Sequence, residues 1–349
     1  MNPKLRQILT NLARIGISAG LLAFIIFSVG PAQIIKVVGS ADLRLYGLAI
    51  LLALAGVVVR ALRWRVLLRA VGARVPFGHT VYLYFVGAFF NTFLPTGFGG
   101  DVVRVLEIGE GATSQQAAGT ALVDRLTGFI VLFLLALVAL PFSANLLSPQ
   151  VTLLIIILAG SIVAGSALLF EGRVLRWLIG RLANLTWLAR QPRLNQIYRS
   201  GLAWVEHTYG VITTCGARAV VGALFWSLVF NLIQIAANVL VGQALGLHVS
   251  IWTFFLFVPV ATAALLVPIT ISGFGVREGI YIGLFGQVGV NQAHATALSL
   301  GSYSLDFASG VLGGVIYLAS GLLGLRQKAA PKAPAEAQPD LAAAPSKDS

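Results

Sequence analysis

Charge is what this chain has least of. Asp and Glu number 12 against 24 Lys and Arg in 349 residues, and charged residues of both signs make up 10%, too few for the wet surface of an ordinary soluble protein. Cysteine is nearly absent: the one thiol, Cys215, excludes an intrachain disulfide and a cysteine metal cluster, and inside an apolar stretch it serves packing. His79, His207, His248 and His294 are scattered without HExxH or other ligand spacing, so no metal site is expected. Glu206 followed by His207 is one interfacial pair and not a catalytic triad. No Walker A motif occurs, and no cofactor is implied.

What fills the chain is apolar. Hydrophobic residues reach 58% and the mean hydropathy is +0.89, which defines an all-α polytopic integral membrane protein, because a helix satisfies its own backbone in lipid. Runs long enough to cross lie near 13–30, 43–60, 120–140, 151–170, 218–240, 251–270 and 297–323, with shorter apolar pieces at 79–94 and 278–290. The first run follows basic residues as a signal peptide would, but it lacks a small-residue cleavage signature and reads as an uncleaved span.

The basic residues sit between spans. Lys4, Arg6 and Arg14 precede the first, and Arg60, Arg63, Arg65, Arg69 and Arg74 follow the second with no acid among them. The positive-inside rule explains this better than nucleic-acid binding, and it predicts a multi-pass protein of the cell membrane with both termini cytoplasmic. Since 120–140 and 151–170 form a hairpin leading to the basic stretch 173–218, the segment from 79 to about 110 must enter and leave on one side. About eight transmembrane helices plus one re-entrant hairpin are therefore expected, with 278–290 short enough to be half of another. Residues 171–210 interleave Arg, Trp and aliphatic residues, as a cytoplasmic interfacial amphipathic segment does; they belong to a membrane domain spanning 1–326. The Ala-, Pro- and charge-rich stretch 327–349 reads as a disordered cytoplasmic tail.

Two apolar segments are interrupted, FNTFLPTGFGGDVVR at 90–104 and LLVPITISGFGVREG at 265–279. Pro95, Gly97, Gly99 and Gly100 break the first, Pro268, Gly273 and Gly275 the second, and each break is followed by ionisable residues that a plain span would avoid. The two GFG triplets lie about half a chain apart, which is either an internal duplication into two pseudo-symmetric halves with interrupted helices or a chance match in a glycine-rich chain. Asp101 and Arg104 share one face of a helix beginning after the GFGG turn, where free amides and Arg104 could hold a phosphate while Asp101 serves as cap or as partner. Arg277 and Glu278 follow the second break and point apart, leaving Arg277 to pair with Asp101 or Asp124. Asp124 and Arg125 lie near one end of a span; Asp306, within the last span, is a partner, a proton carrier or a structural acid. Asn91, Asn231 and Gln234 either meet sugar or glycerol hydroxyls or join helices. One such charge buried alone costs several kcal/mol, so a paired network lining a cavity is expected.

The ordered set RALRWRVLL (60–68), FFNTFLPTGFGGDVVR (89–104), DRLTG (124–128) and PITISGFGVREG (268–279) resembles the lysylphosphatidylglycerol synthase transmembrane region family, the flippase-like domain, over residues 10 to 325. The resemblance implies that Arg63, Arg65, Asp101, Arg104, Asp124, Arg125, Arg277 and Glu278 occupy the family's polar positions. It also implies a lipid flippase or scramblase moving a phospholipid or glycolipid head group between leaflets, with membrane lipids, anionic or phosphate-containing, and a lipid-synthesising enzyme as partners. After residue 325 only a short tail follows and no soluble acyltransferase-like domain, so synthesis of the lysyl lipid is not expected of this chain. The alternative is a membrane-embedded enzyme or partner subunit in polyprenyl-phosphate or glycolipid synthesis. Metal-dependent catalysis there needs an acidic cluster, and Asp101, Glu107 and Glu110 supply a loose one.

Overall fold

The structure, a computed structural model, describes residues 20, 22–93, 99–142, 147–171, 177, 192–264 and 273–322. Pro95, Gly97 and Pro268, most of the stretch 172–191 and the tail 327–349 lie outside the described residues. The described chain is helical, with no strand: α1 (Leu22–Val29), α2 (Pro31–Gly39), α3 (Leu43–Ala70), α4 (Phe77–Phe93), α5 (Gly99–Leu106), α6 (Ser114–Ala139), α7 (Pro149–Glu171), α8 (Pro192–Ala244), α9 (Ile251–Ala264), α10 (Val276–Gly286) and α11 (Gln292–Leu322).

Local chemistry sets several boundaries. Asp42 caps α3 by accepting from the amides of Arg44 and Leu45 at 2.8 and 3.3 Å, and Thr113 with Gln116 forms a reciprocal capping box at the start of α6. At Gly30, with φ of 94°, the chain bends by 83° between α1 and α2, a conformation a side chain would resist. Gly216, with φ of 69°, does the same inside α8, so Pro192–Ala244 is two helices joined at a kink. The second half of the stretch expected to lie along the membrane surface is thus the leading arm of α8.

Among the described residues, five helices are long and apolar enough to cross a membrane, namely α3, α6, α7, the Thr214–Ala244 part of α8, and α11; bent α1 and α2 together make up to six. Eight crossings were expected, and the difference lies at 251–270 and 278–290. The described parts of those segments form α9 and α10, of 14 and 11 residues, which at 1.5 Å per residue reach about 21 and 17 Å, each shorter than a core about 30 Å thick.

The short helices pair into two hairpins. At the base of the first, His79 Nε2 sits 3.1 Å from the carbonyl oxygens of both Glu107 and Ile108, and near its tip the Gly100 amide donates to Asn91 Oδ1 at 2.8 Å, so α4 and α5 run antiparallel. In the second, the rings of Phe254 and Phe257 in α9 lie 5.4 and 5.1 Å from that of Phe285 at the far end of α10. Each hairpin therefore starts and finishes at one end of the bundle.

Helix α11 shows that the two ends are opposite. Tyr82 meets Ser320 at 3.1 Å, Thr92 packs where Gly310 leaves room, and Phe93 faces Phe307 with ring centres 5.7 Å apart. From the other direction the Ser299 hydroxyl donates to Glu278 at 3.2 Å, Phe274 meets Tyr303 at 4.6 Å, and Arg277 reaches Asp306 at 4.0 Å. The end of α4 and the start of α10 therefore converge on Asp306 and Phe307, halfway along a helix of 31 residues, about 46 Å long. The first hairpin can lie this close to α11 because of glycine: a Cβ on Gly313 would stand 1.9 Å from the Phe85 carbonyl oxygen, and one on Gly314 2.8 Å from the Phe89 ring.

The remaining packing agrees with this frame. The Asp42 amide donates to the Ala244 carbonyl at 2.8 Å at the end where the second hairpin starts. At the arginine-rich end, Gln116 Nε2 donates to the Val71 carbonyl at 2.8 Å, and the Arg74 amide to Gly111 at 2.8 Å. Cys215 is buried among Leu67, Val123, Ala219 and Ala223.

Candidate functional site

Charged side chains gather between the first hairpin and helices α3 and α6. Arg63, 3% exposed, donates from Nε to Asp124 Oδ1 at 2.6 Å and from Nη1 to the Ser227 hydroxyl at 3.0 Å. Tyr84 donates its hydroxyl to Asp124 Oδ2 at 2.5 Å, so both carboxylate oxygens are engaged. Gly128 is part of this arrangement, since a Cβ there would stand 2.9 Å from Arg63 Nη1.

Beside that pair lies a triad. Asp101 receives Arg104 Nη2 on Oδ1 at 2.5 Å and Arg125 Nη2 on Oδ2 at 2.8 Å, one carboxylate shared by two guanidiniums. The Arg104 guanidinium lies over the rings of Tyr84 and Trp64 at 4.1 and 4.9 Å, and Trp64 is fixed by its indole N–H on the Thr120 hydroxyl at 3.0 Å. Arg104 Nη1 is buried and has no hydrogen-bond partner. The approach of α5 depends on Gly87 and Gly100: a Cβ on Gly100 would fall 2.0 Å from the Gly87 carbonyl oxygen.

At the converging tips, Arg277 lies over the Tyr303 ring at 5.0 Å and faces Asp306, whose side chain is 69% exposed. A carboxylate open at half-depth in a membrane helix is tolerated where water or polar groups reach it and not where lipid tails do. Glu278, fully buried, receives the Gly275 amide at 2.6 Å and the Ser299 hydroxyl, so it closes the start of α10. Gly273 and Gly275, with φ of 77° and 84°, make the turn that allows this.

The residues singled out in the sequence divide accordingly. Asp101, Arg104, Arg125, Arg63 and Asp124 come together, and Arg277 joins Asp306 in place of Asp101 or Asp124. Arg65 stands apart, over the Phe77 ring at 5.4 Å at the hairpin base. Asn91 occupies the Gly100 amide, so that part of the helix start is already engaged and is not free for a phosphate. Asn231 joins helices, donating to the Gly128 carbonyl at 3.2 Å, while the Gln234 carbonyl accepts from Asn238 within α8. Glu107 meets the Tyr82 hydroxyl at 3.5 Å, and no group of three metal-holding side chains occurs among the described residues. Sequence reasoning missed Tyr84, Trp64 and Ser227 and gave Arg60 only a charge-distribution role. The three-residue spacing of Arg60 and Arg63 on one helix face was the available signal.

A multi-pass helical membrane protein, with paired charges packed between a short helical hairpin and its neighbouring helices, is the class this fold and site define. The chain belongs to the lysylphosphatidylglycerol synthase TM region family, whose description matches residues 11–314. It is similar to a UPF0104 membrane protein of Pyrococcus horikoshii, 22% identical over 322 residues, covering 86% of this chain and 95% of that one. A UPF0104 membrane protein of Methanothermobacter thermautotrophicus is 24% identical over 299 residues, 82% of this chain and 88% of that one. No solved structure matches.

Proposed function

We propose that this protein carries the head group of a phospholipid or glycolipid between membrane leaflets, as a flippase or scramblase, while the acyl chains stay in lipid. The observation that carries the reading is the meeting of two opposed hairpins at the middle of α11, beside an open carboxylate and a run of guanidiniums. In this reading α4–α5 and α9–α10 are re-entrant hairpins entering from opposite leaflets, the halves of a pseudo-symmetric membrane domain. The arginine-rich end faces the cytoplasm and both termini lie there. Replacing two crossings by one hairpin leaves the side of the C-terminus unchanged.

The polar steps lie along one route. Arg104 stands beside Gly87 and Tyr84, partway from the hairpin base to the tip, and Arg277 with Asp306 stands at the tip. A head group moving between them exchanges one charged contact for the next, which lowers the cost of leaving water. With no nucleotide motif in the chain, the drive is a gradient, another protein or equilibration between leaflets. The partners are membrane lipids with phosphate-containing heads, and an enzyme that makes them.

Reconstitution tests this. In liposomes of host lipids, with impermeant head-group labelling and mass spectrometry of each lipid class, the wild-type protein equalises or biases one class between leaflets. Arg104→Ala at matched protein level slows that movement tenfold or more. Equal movement by Arg104→Ala and wild type would sink the site, and no movement of any lipid by wild type would sink the transport reading.

A further inference from the structure

Among the described residues, the guanidiniums of Arg63, Arg104, Arg125 and Arg277 all lie within 4.0 Å of a carboxylate. Arg60 does not. Its guanidinium is held between the rings of Tyr84 and Phe230, with centroids 5.2 and 5.3 Å away, and the side chain is only half-buried. Three residues on, Arg63 takes Asp124 for itself, and Asp101 is already divided between Arg104 and Arg125. Arg60 thus sits on the Tyr84 ring beside the triad, and among the described residues no carboxylate lies within ion-pair distance of it.

The charge count points the same way. At this depth α3, α5, α6, α10 and α11 contribute Arg60, Arg63, Arg104, Arg125 and Arg277 against Asp101, Asp124, Glu278 and Asp306, while α4, α9 and the part of α8 after Arg218 carry no Asp, Glu, Lys or Arg. One positive charge is left over, in a bundle whose outward faces are apolar. An uncompensated cation in such a setting is costly unless an anion completes it.

We infer that Arg60 is the phosphate-reading residue of the site, and that the ligand is a lipid phosphodiester bearing a single net negative charge. The inference rests on the head-group reading above in taking the anion to be a lipid. Two aromatic rings orient the guanidinium, leaving its N–H fork for phosphate oxygens, which Arg binds two at a time. A net cationic aminoacyl lipid brings a second positive charge to a site already in surplus and is disfavoured.

Binding in detergent separates this from transport. Short-chain phosphatidylglycerol, phosphatidylcholine and lysyl-phosphatidylglycerol are titrated against wild-type protein, Arg60→Gln and Arg60→Lys by native mass spectrometry, with thermal unfolding confirming that each variant is folded. Wild type is expected to prefer phosphatidylglycerol to both others by about tenfold, equivalent to about 1.4 kcal/mol. Arg60→Gln brings phosphatidylglycerol down to the phosphatidylcholine level, and Arg60→Lys keeps part of the preference. Equal binding of all three lipids by wild type, a preference for the lysyl lipid, no lipid bound, or an unchanged preference in Arg60→Gln each overturns the inference. Full displacement of phosphatidylglycerol by excess inorganic phosphate overturns the lipid as its source. If the preference holds while liposomes show no lipid movement, the transport reading alone fails.

Discussion

Replacing Arg63 by Met keeps an unbranched side chain of similar reach and removes the guanidinium. Asp124, with a side chain 3% exposed, is then left with the Tyr84 hydroxyl as its one side-chain hydrogen-bond partner and without the guanidinium that directly paired its charge. Breaking a buried pair from one side costs about 3–5 kcal/mol, most of it the penalty of the stranded charge. Removing both charges together, as Arg63→Met with Asp124→Leu, leaves only the hydroxyls of Tyr84 and Ser227 without these partners, at about 1–3 kcal/mol if neither finds another. The pair is therefore expected to show a coupling energy of about 2 kcal/mol or more, the double variant being more stable than Arg63→Met alone. Unfolding in mixed micelles with rising sodium dodecyl sulfate, followed by tryptophan fluorescence, reads all three free energies. Two single variants each within about 0.5 kcal/mol of wild type would refute the buried pairing, since that is the range of unremarkable surface substitutions.

Other positions give independent checks. Gly313→Val forces atoms against the Phe85 carbonyl and should cost about 1–3 kcal/mol while loosening the first hairpin from α11, seen as faster amide exchange in α4; wild-type exchange would count against the close crossing. Asn91→Ala strands the Gly100 amide, and exchange confined to α5 is expected to quicken, with a loss of about 1–3 kcal/mol by micelle unfolding. Glu278→Ala removes the acceptor shared by the Gly275 amide and Ser299; it should destabilise by a similar amount, and a variant as stable as wild type would show that the turn closes without it. Cys215 should stay unlabelled by a maleimide in the folded protein and react on unfolding; rapid labelling before unfolding contradicts its place in the core.

How much of this was legible follows from the kind of signal each feature leaves. The all-helical membrane class, the Asp101–Arg104 contact and the first hairpin came from hydropathy, residue spacing and arginine placement, all local properties of the chain. The second hairpin was only an option, because apolar runs at 251–270 and 278–290 look like spans until helix length is known, and Pro259 inside α9 does not by itself end it. Partners of buried charges were beyond reach. Arg63 finds Asp124 from 61 residues away, and Arg277 finds Asp306 only because both hairpin tips arrive at the middle of α11. Of the amides after GFGG read as a phosphate site, that of Gly100 is taken by Asn91, a side chain reaching back across the hairpin.

The central claim is that a lipid head group enters the protein as far as the hairpin tips. The most direct measurement uses phosphatidylglycerol with a photoreactive diazirine on its head group, cross-linked to the reconstituted protein and mapped by peptide mass spectrometry. Labels on Asp101 to Arg104 and on Tyr303 to Phe307 are expected, with those sites protected by excess unlabelled phosphatidylglycerol. Labels confined to outward-facing residues such as Leu51, Phe225 and Leu318, or spread without protection, would contradict the account.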